Sequence, residues 1–216
     1  MATLLHIDTS INGENSTSRA VTAAFRHTWE TEHPNGTVIY RDLDAAPIPH
    51  LRAPAYYAGY TPAADRSPAE RAAFALRAEL IEEAERADVI LLGAPMYNYT
   101  IPSTLKAWLD HVFAVGRTAM TEHPSLAAKP AVVVTSRGGS YQEEARQHGN
   151  DYLQGYLRQL LGTGLGLDVS FIAPELTLAP NVPAMADLVP LYEASRDASL
   201  AAAESRAREL VVRPAA

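Results

Sequence analysis

Three short blocks of the chain carry side chains suited to holding a ligand. The most distinctive is Ala94-Pro95-Met96-Tyr97-Asn98-Tyr99-Thr100-Ile101-Pro102-Ser103-Thr104-Leu105-Lys106. Pro95 removes a ladder donor and so ends any strand before it. Pro102 is placed to open a helix. Between them, Met96, Tyr97 and Tyr99 can lie against the faces of a flat amphipathic ring, and Asn98 with backbone N–H groups can meet its polar edge. Four such side chains between two prolines are a costly choice for a mere connector with packed aromatics. The second block is Thr9-Ser10-Ile11-Asn12-Gly13-Glu14-Asn15-Ser16-Thr17-Ser18-Arg19. It is a hydroxyl-rich loop leading into a helix, whose free N–H groups and positive dipole end favour a phosphate. Ser16, Thr17 and Ser18 add hydroxyl donors. Read alone, the block is equally a solvated loop with a Ser N-cap. It contains neither G-x-x-x-x-G-K-[ST] nor G-x-G-x-x-G, which argues against nucleotide hydrolysis and a dinucleotide turn. The third block is Thr135-Ser136-Arg137-Gly138-Gly139-Ser140-Tyr141. Its glycine pair permits close backbone approach, and consecutive N–H groups there can face developing negative charge. Alone it also reads as a simple turn.

Other ionisable residues offer less. The seven histidines are scattered, without H-E-x-x-H spacing, and there is no cysteine. No metal site is expected, and a disulfide framework and thiolate catalysis are excluded. Glu82-Glu83 and Glu143-Glu144 read as solvated helix faces, and His111 as structural. Asp8 follows the first strand, but the lysine that a phosphoacceptor pocket requires after strand five is missing. Tyr99 and Tyr141 are candidate proton donors, though each reads first as a packing residue. The formal charge of −7 gives no footprint for nucleic acid or an anionic membrane. The N-terminus lacks a basic signal-peptide region, and no apolar run approaches the roughly 20 residues that span a bilayer. A cytoplasmic location is expected.

The elements that must position these blocks alternate along the chain. Leu4-Leu5-His6-Ile7-Asp8 reads as a strand. Val21, Ala24, Phe25 and Thr28 put a helix over about 17–33. Thr37-Val38-Ile39-Tyr40-Arg41 is a β-branched and aromatic strand. Residues 45–68 form a long loop with five prolines and Tyr56, Tyr57 and Tyr60. It is either a lid or partner-contacting loop or a variable surface excursion. Ser67-Pro68-Ala69-Glu70 opens a helix that continues to Ala87. Asp88-Val89-Ile90-Leu91-Leu92-Gly93 is an apolar run suited to a central parallel strand. A helix over about 102–115, a strand at Ala131–Thr135, a helix over 148–165, a weaker strand at Val169–Ile172 and a helix over about 184–211 follow. This alternation predicts one α/β domain, residues 1–216, with a doubly wound parallel sheet. The three blocks then fall after strands one, three and four, where such sheets bind ligands.

Together the blocks resemble the FMN-dependent NADH:quinone oxidoreductase/azoreductase family within the flavodoxin-like quinone reductases. The likeness spans most of the chain. It is carried by Ser10 with Ser16-Thr17-Ser18, by Ala94 to Tyr99 with Leu105-Lys106, by Ser136-Arg137-Gly138-Gly139, and by Arg41-Asp42-Leu43 ahead of Pro47-Ile48-Pro49. The resemblance implies five strands in the order 2-1-3-4-5, which makes strands one, three and four neighbours. It implies that Ser10, Ser16, Thr17 and Ser18 hold the FMN phosphate, and that Pro95, Met96, Tyr97, Asn98 and Tyr99 wrap the isoalloxazine, Asn98 bonding its pyrimidine edge. It implies that Ser136, Arg137, Gly138, Gly139 and Tyr141 line the far side. It further implies a homodimer with FMN sites at the interface, and ping-pong transfer from NADH or NADPH to a quinone, azo or related small aromatic acceptor. The sequence does not choose between the two donors. Two departures stand out. Ala119-Met120-Thr121-Glu122-His123-Pro124 is shorter than the family's stretch and lacks its aromatic, and Thr163 stands where an aromatic is common. Both fall where the substrate pocket is expected, so Met120 and Thr163 point to a roomier, more polar pocket for a bulkier polycyclic or biosynthetic substrate. The rival readings are a dedicated biosynthetic or free-flavin reductase, a flavodoxin-type electron carrier, and a flavin-free scaffold.

Overall fold

The computed structural model describes residues 1–210. Five strands, β1 (Thr3–Asp8), β2 (Thr37–Asp42), β3 (Val89–Gly93), β4 (Pro130–Val134) and β5 (Asp168–Ile172), form one parallel sheet in the order β2-β1-β3-β4-β5. That is the order the resemblance implies. β3 is buried along its whole length, because helices cover both of its faces, while the edge strands β2 and β5 are largely half-exposed. Successive side chains of a strand point to opposite faces. Leu4, Val89, Leu91, Val132 and Val134 therefore pack against α1 (Thr17–Glu32) and α6 (Val189–Glu209), through Val21, Phe25, Trp29, Ala203 and Ala207. Leu5, Ile7, Ile90, Leu92 and Val133 face the other way. They meet α3 (Pro68–Arg86), α4 (Ser103–Val112) and α5 (Tyr152–Leu157) through Leu80, Leu105, Trp108, Leu109 and Leu153.

Local signals start the helices. Ser67 and Glu70 form a reciprocal capping box around Pro68. Ser16 caps α1 by accepting from Arg19 N. Four expectations need correction. Residues 45–68 are not one open loop, since α2 (Ala53–Ala58) lies within them, between α3's capping box and a stretch fastened to α4 by His111 Nε2 and the Pro49 carbonyl, 2.9 Å apart. The helix expected over 148–165 starts at Tyr152, where Asp151 caps it, and Arg158–Gly164 continues it as π-helix. The helix expected over 102–115 is Ser103–Val112. The last helix starts at Val189, after 3₁₀ turns at Ala179–Asn181 and Pro183–Leu188, and the expected terminal residue 211 lies outside the described residues.

Candidate active site

The loops after β1, β3 and β4 enclose a cavity of ≈ 630 Å³ at the carboxyl edge of the sheet. One end is lined by Ser10, Asn12, Asn15, Ser16 and Thr17, the opposite walls by Pro95, Met96, Tyr97, Ser136 and Gly138, and the rim by Thr177, Leu178, Pro180, Asn181 and Tyr192. Among the described residues, no Asp, Glu, Lys, Arg or His lines it.

The polar end is built by a tight turn into α1. Gly13 takes φ +50°, and Asn15 N and Ser16 N donate to the carbonyls of Asn12 and Gly13. Ser10 Oγ accepts from Asn12 N at 3.3 Å. The first amides of a helix have no intrahelical acceptor, so Thr17 and Ser18 offer N–H groups where α1 begins. The Ser18 side chain does not reach the cavity. It is fully buried, with its hydroxyl 3.1 Å from Ser16 Oγ, which it holds in place.

The wall after β3 turns sharply. Tyr97 and Thr100 exchange backbone hydrogen bonds of 2.9 and 3.1 Å, with Asn98 at φ 48° and Tyr99 at φ 68°. Two successive left-handed residues match the two-residue primed turns that glycine usually supplies. Tyr97 stays on the cavity side, where its phenol oxygen accepts from Ile11 N at 3.1 Å and so ties this wall to the first loop. Asn98 and Tyr99 are turned outward and exposed. Asn98 instead lines a neighbouring cavity of ≈ 470 Å³, with Tyr97, Ile101, Lys106 and Tyr156. Met96 N donates to the Ser136 carbonyl at 2.8 Å, joining the second wall to the third.

The third wall is anchored from beyond β5. Gly138 lies close under Leu178, so a Cβ there, within 2.7 Å of Leu178 Cδ1, would oblige the leucine side chain to shift. Leu178 N and Thr177 N donate to the carbonyls of Gly138 and Arg137. The Arg137 guanidinium does not face the cavity. It is buried against Glu175 at 2.9 Å and also pairs with Asp151. Glu175, itself buried, accepts from Ser140 Oγ and Tyr141 N as well. Glu175 and Asp151 are the residues that sequence reasoning missed, since neither acid belongs to a motif. Gly139 and Tyr141 lie beside the cavity without lining it, and burial raises the Tyr141 phenol above its ordinary pKa. Neither candidate proton donor, Tyr99 nor Tyr141, reaches the lining. Met120 is 75% exposed at φ 50°, and Thr163 is exposed within the π-helical segment. Neither belongs to the cavity wall of this chain. Among the described residues no cluster of His, Cys, Asp and Glu is arranged to hold a metal, and no helix is long and apolar enough to cross a membrane.

The family model of the flavodoxin-like fold matches residues 2–177. A Streptomyces coelicolor (strain ATCC BAA-471 / A3(2) / M145) protein called FMN-dependent NADH:quinone oxidoreductase is 58% identical over 214 residues, covering 99% of this chain and 97% of its own. A protein of the same name from Kineococcus radiotolerans is 45% identical over 213 residues, covering 97% and 100%. Among solved structures, azoreductase from Bacillus anthracis superposes with a TM-score of 0.80 at 21% identity, covering 97% of this chain and 100% of that one. An FMN-dependent NADH-azoreductase of the same species, solved in complex with FMN, gives 0.77 at 17%, covering 98% and 100%. At these identities the two structures establish a shared fold.

Proposed function

The chain belongs to the FMN-dependent NADH:quinone oxidoreductases of flavodoxin-like fold, and from that premise we propose that it binds FMN in the ≈ 630 Å³ cavity and reduces a quinone, azo or related aromatic acceptor at the expense of NADH. One observation carries the reading. A single cavity joins a helix N-terminus ringed with hydroxyls to an apolar and aromatic wall, which suits a ligand with a phosphate at one end and a flat ring at the other. The volume also falls in the range of ordinary cofactor sites.

Bound FMN supplies two-electron chemistry, taking a hydride equivalent from the nicotinamide and giving it to the acceptor. The protein binds and orients. Ser10, Ser16 and Thr17 hold the phosphate through hydroxyls and the amides at the start of α1. Pro95, Met96 and Tyr97 hold one side of the ring and keep water from it. The Gly138 region presents backbone N–H groups to the ring edge that gains negative charge on reduction. No side-chain acid or base is required, because water can protonate a reduced quinone.

Asn98, Tyr99, Met120 and Thr163 point away from the cavity of their own chain, which supports a homodimer in which a second copy completes the acceptor pocket. Donor and acceptor entering by the same opening in turn would give ping-pong kinetics. The exposed Met120 loop and Thr163 favour a bulkier acceptor. Profiling simple quinones and azo dyes against polycyclic aromatics tests this, and equal turnover of all of them removes it.

The decisive measurement is the absorption spectrum of the purified protein with FMN, before and after anaerobic NADH and then NADPH. A bound flavin band that NADH bleaches is expected. Failure to take up FMN, or a bound flavin that neither nucleotide bleaches, overturns the reading.

A further inference from the structure

Behind the polar end of the cavity, on the β2 side of α1, lies a network of charges that no step above uses. Arg19 occupies the first turn of α1, where a cation opposes the helix dipole. Its guanidinium is turned away from the cavity and fully engaged. Nη1 and Nη2 each donate to the Asp42 carboxylate at 2.7 Å, Nε and Nη2 donate to the Ser10 carbonyl at 3.2 and 2.8 Å, and Nη1 reaches Tyr40 Oη at 3.3 Å. Five N–H groups thus make five contacts, a planar fork that lysine cannot reproduce. Asp42 closes the end of β2 by also accepting from Asp44 N and Ala45 N. The adjoining groove of ≈ 790 Å³ is lined by Asp8, Glu14, Glu30, Asp42 and Asp44, and Asp8, Glu30 and Asp42 are engaged within the chain. Asp8 accepts from Thr22 Oγ1 at 2.9 Å and Tyr40 Oη at 3.2 Å, Asp42 pairs with Arg19, and Glu30 pairs with Arg26.

The clamped carbonyl belongs to Ser10, whose side chain lines the cavity. We propose that Arg19 and Asp42 are positioning residues for the phosphate of FMN: their ion pair fixes the Ser10 peptide, so that the loop presents its hydroxyl and following amides as a preformed phosphate cradle. This rests on the FMN reading above. The pair is suited to a permanent role, because hydrogen bonds from Arg19 hold Asp42 below the usual carboxylate range and keep it ionised at neutral pH.

Riboflavin, which has the ring and lacks the phosphate, separates positioning from mere stability. Affinities of the deflavinated protein for FMN and for riboflavin are measured by quenching of flavin fluorescence, with flavin-free thermal unfolding as the check on folding. Arg19→Lys and Asp42→Asn are each expected to weaken FMN about tenfold, the scale of one charge-assisted contact, while riboflavin stays within about twofold. The double variant is expected to be no worse than the weaker single, as for two members of one unit. Asp42→Glu, which retains the carboxylate, is expected to recover most of the preference for FMN. Equal losses for both flavins, unchanged affinities, or tighter FMN binding by a freed Arg19 overturn the proposal. Wild-type protein that prefers FMN alongside variants that keep the preference removes this inference alone, whereas wild-type protein that takes up neither flavin removes the FMN reading as well.

Discussion

Asn98 and Tyr99 hold consecutive left-handed backbone conformations, at φ 48° and 68°, that cost non-glycine residues free energy. Asn tolerates this region best, and a β-branched residue worst. Asn98→Val is therefore expected to destabilise the protein by about 1–2 kcal/mol, and Asn98→Gly to be nearly neutral, both read from urea unfolding. A loss of the same size in both variants would show that the side chain, not the backbone, matters. At this scale the sequence was informative about identity and poor about direction. Pro95, Met96 and Tyr97 line the cavity as residue type suggested. Asn98 and Tyr99 were grouped with them because handedness is not written in residue type, and a tyrosine at positive φ is rare. Arg137 turns away from the cavity for a reason equally absent from its residue type. Its partner Glu175 lies 38 positions away, a distance at which no motif operates.

Among the elements, the loop after β4 and the segment after β5 act as one piece. Glu175 joins them, buried with Arg137 and accepting from Ser140 and Tyr141. Removing the Glu175 charge leaves Arg137 paired with Asp151 but weakens several buried hydrogen bonds at once. Glu175→Gln is accordingly expected to cost about 1–3 kcal/mol in denaturant unfolding, and to speed hydrogen exchange in residues 137–142. A change under about 1 kcal/mol, the scale of exposed pairs, would remove Glu175 from this role. The strands were legible because β3 and β4 are unbroken apolar runs and β1 and β2 are bounded by polar turns. α2 was hidden, since six residues among prolines show no helical period. The start of α5 was misplaced because the leucine spacing runs on through the π-helical segment, while the actual stop, Gly149 at φ 84°, precedes the Asp151 cap.

For the molecule as a whole, charge and cavity are separated. The chain carries a net −7, yet among the described residues no Asp, Glu, Lys, Arg or His lines the ≈ 630 Å³ cavity, and the nearby Arg19 is committed to Asp42. A phosphate held by neutral donors and a helix end is nearly indifferent to salt. The Kd for FMN is expected to move less than about threefold between about 0.01 and about 1 M salt, over which the screening length falls from about 30 to about 3 Å. Loosening by tenfold would indicate a cation in the cradle. The doubly wound class was readable from alternation alone, whereas strand order came only with the resemblance, because alternation says nothing about which strands are neighbours. One further consequence belongs to the sheet's two open sides. β2 is only six residues long, with Arg41 drawn across to Glu79 and Glu83, and β5 only five, beginning at Asp168, with Arg158 over Phe171. Short borders guarded by charge are poor templates for strand addition from another chain, so the native molecule resists sheet-by-sheet polymerisation, and any self-association is left to its helices and loops.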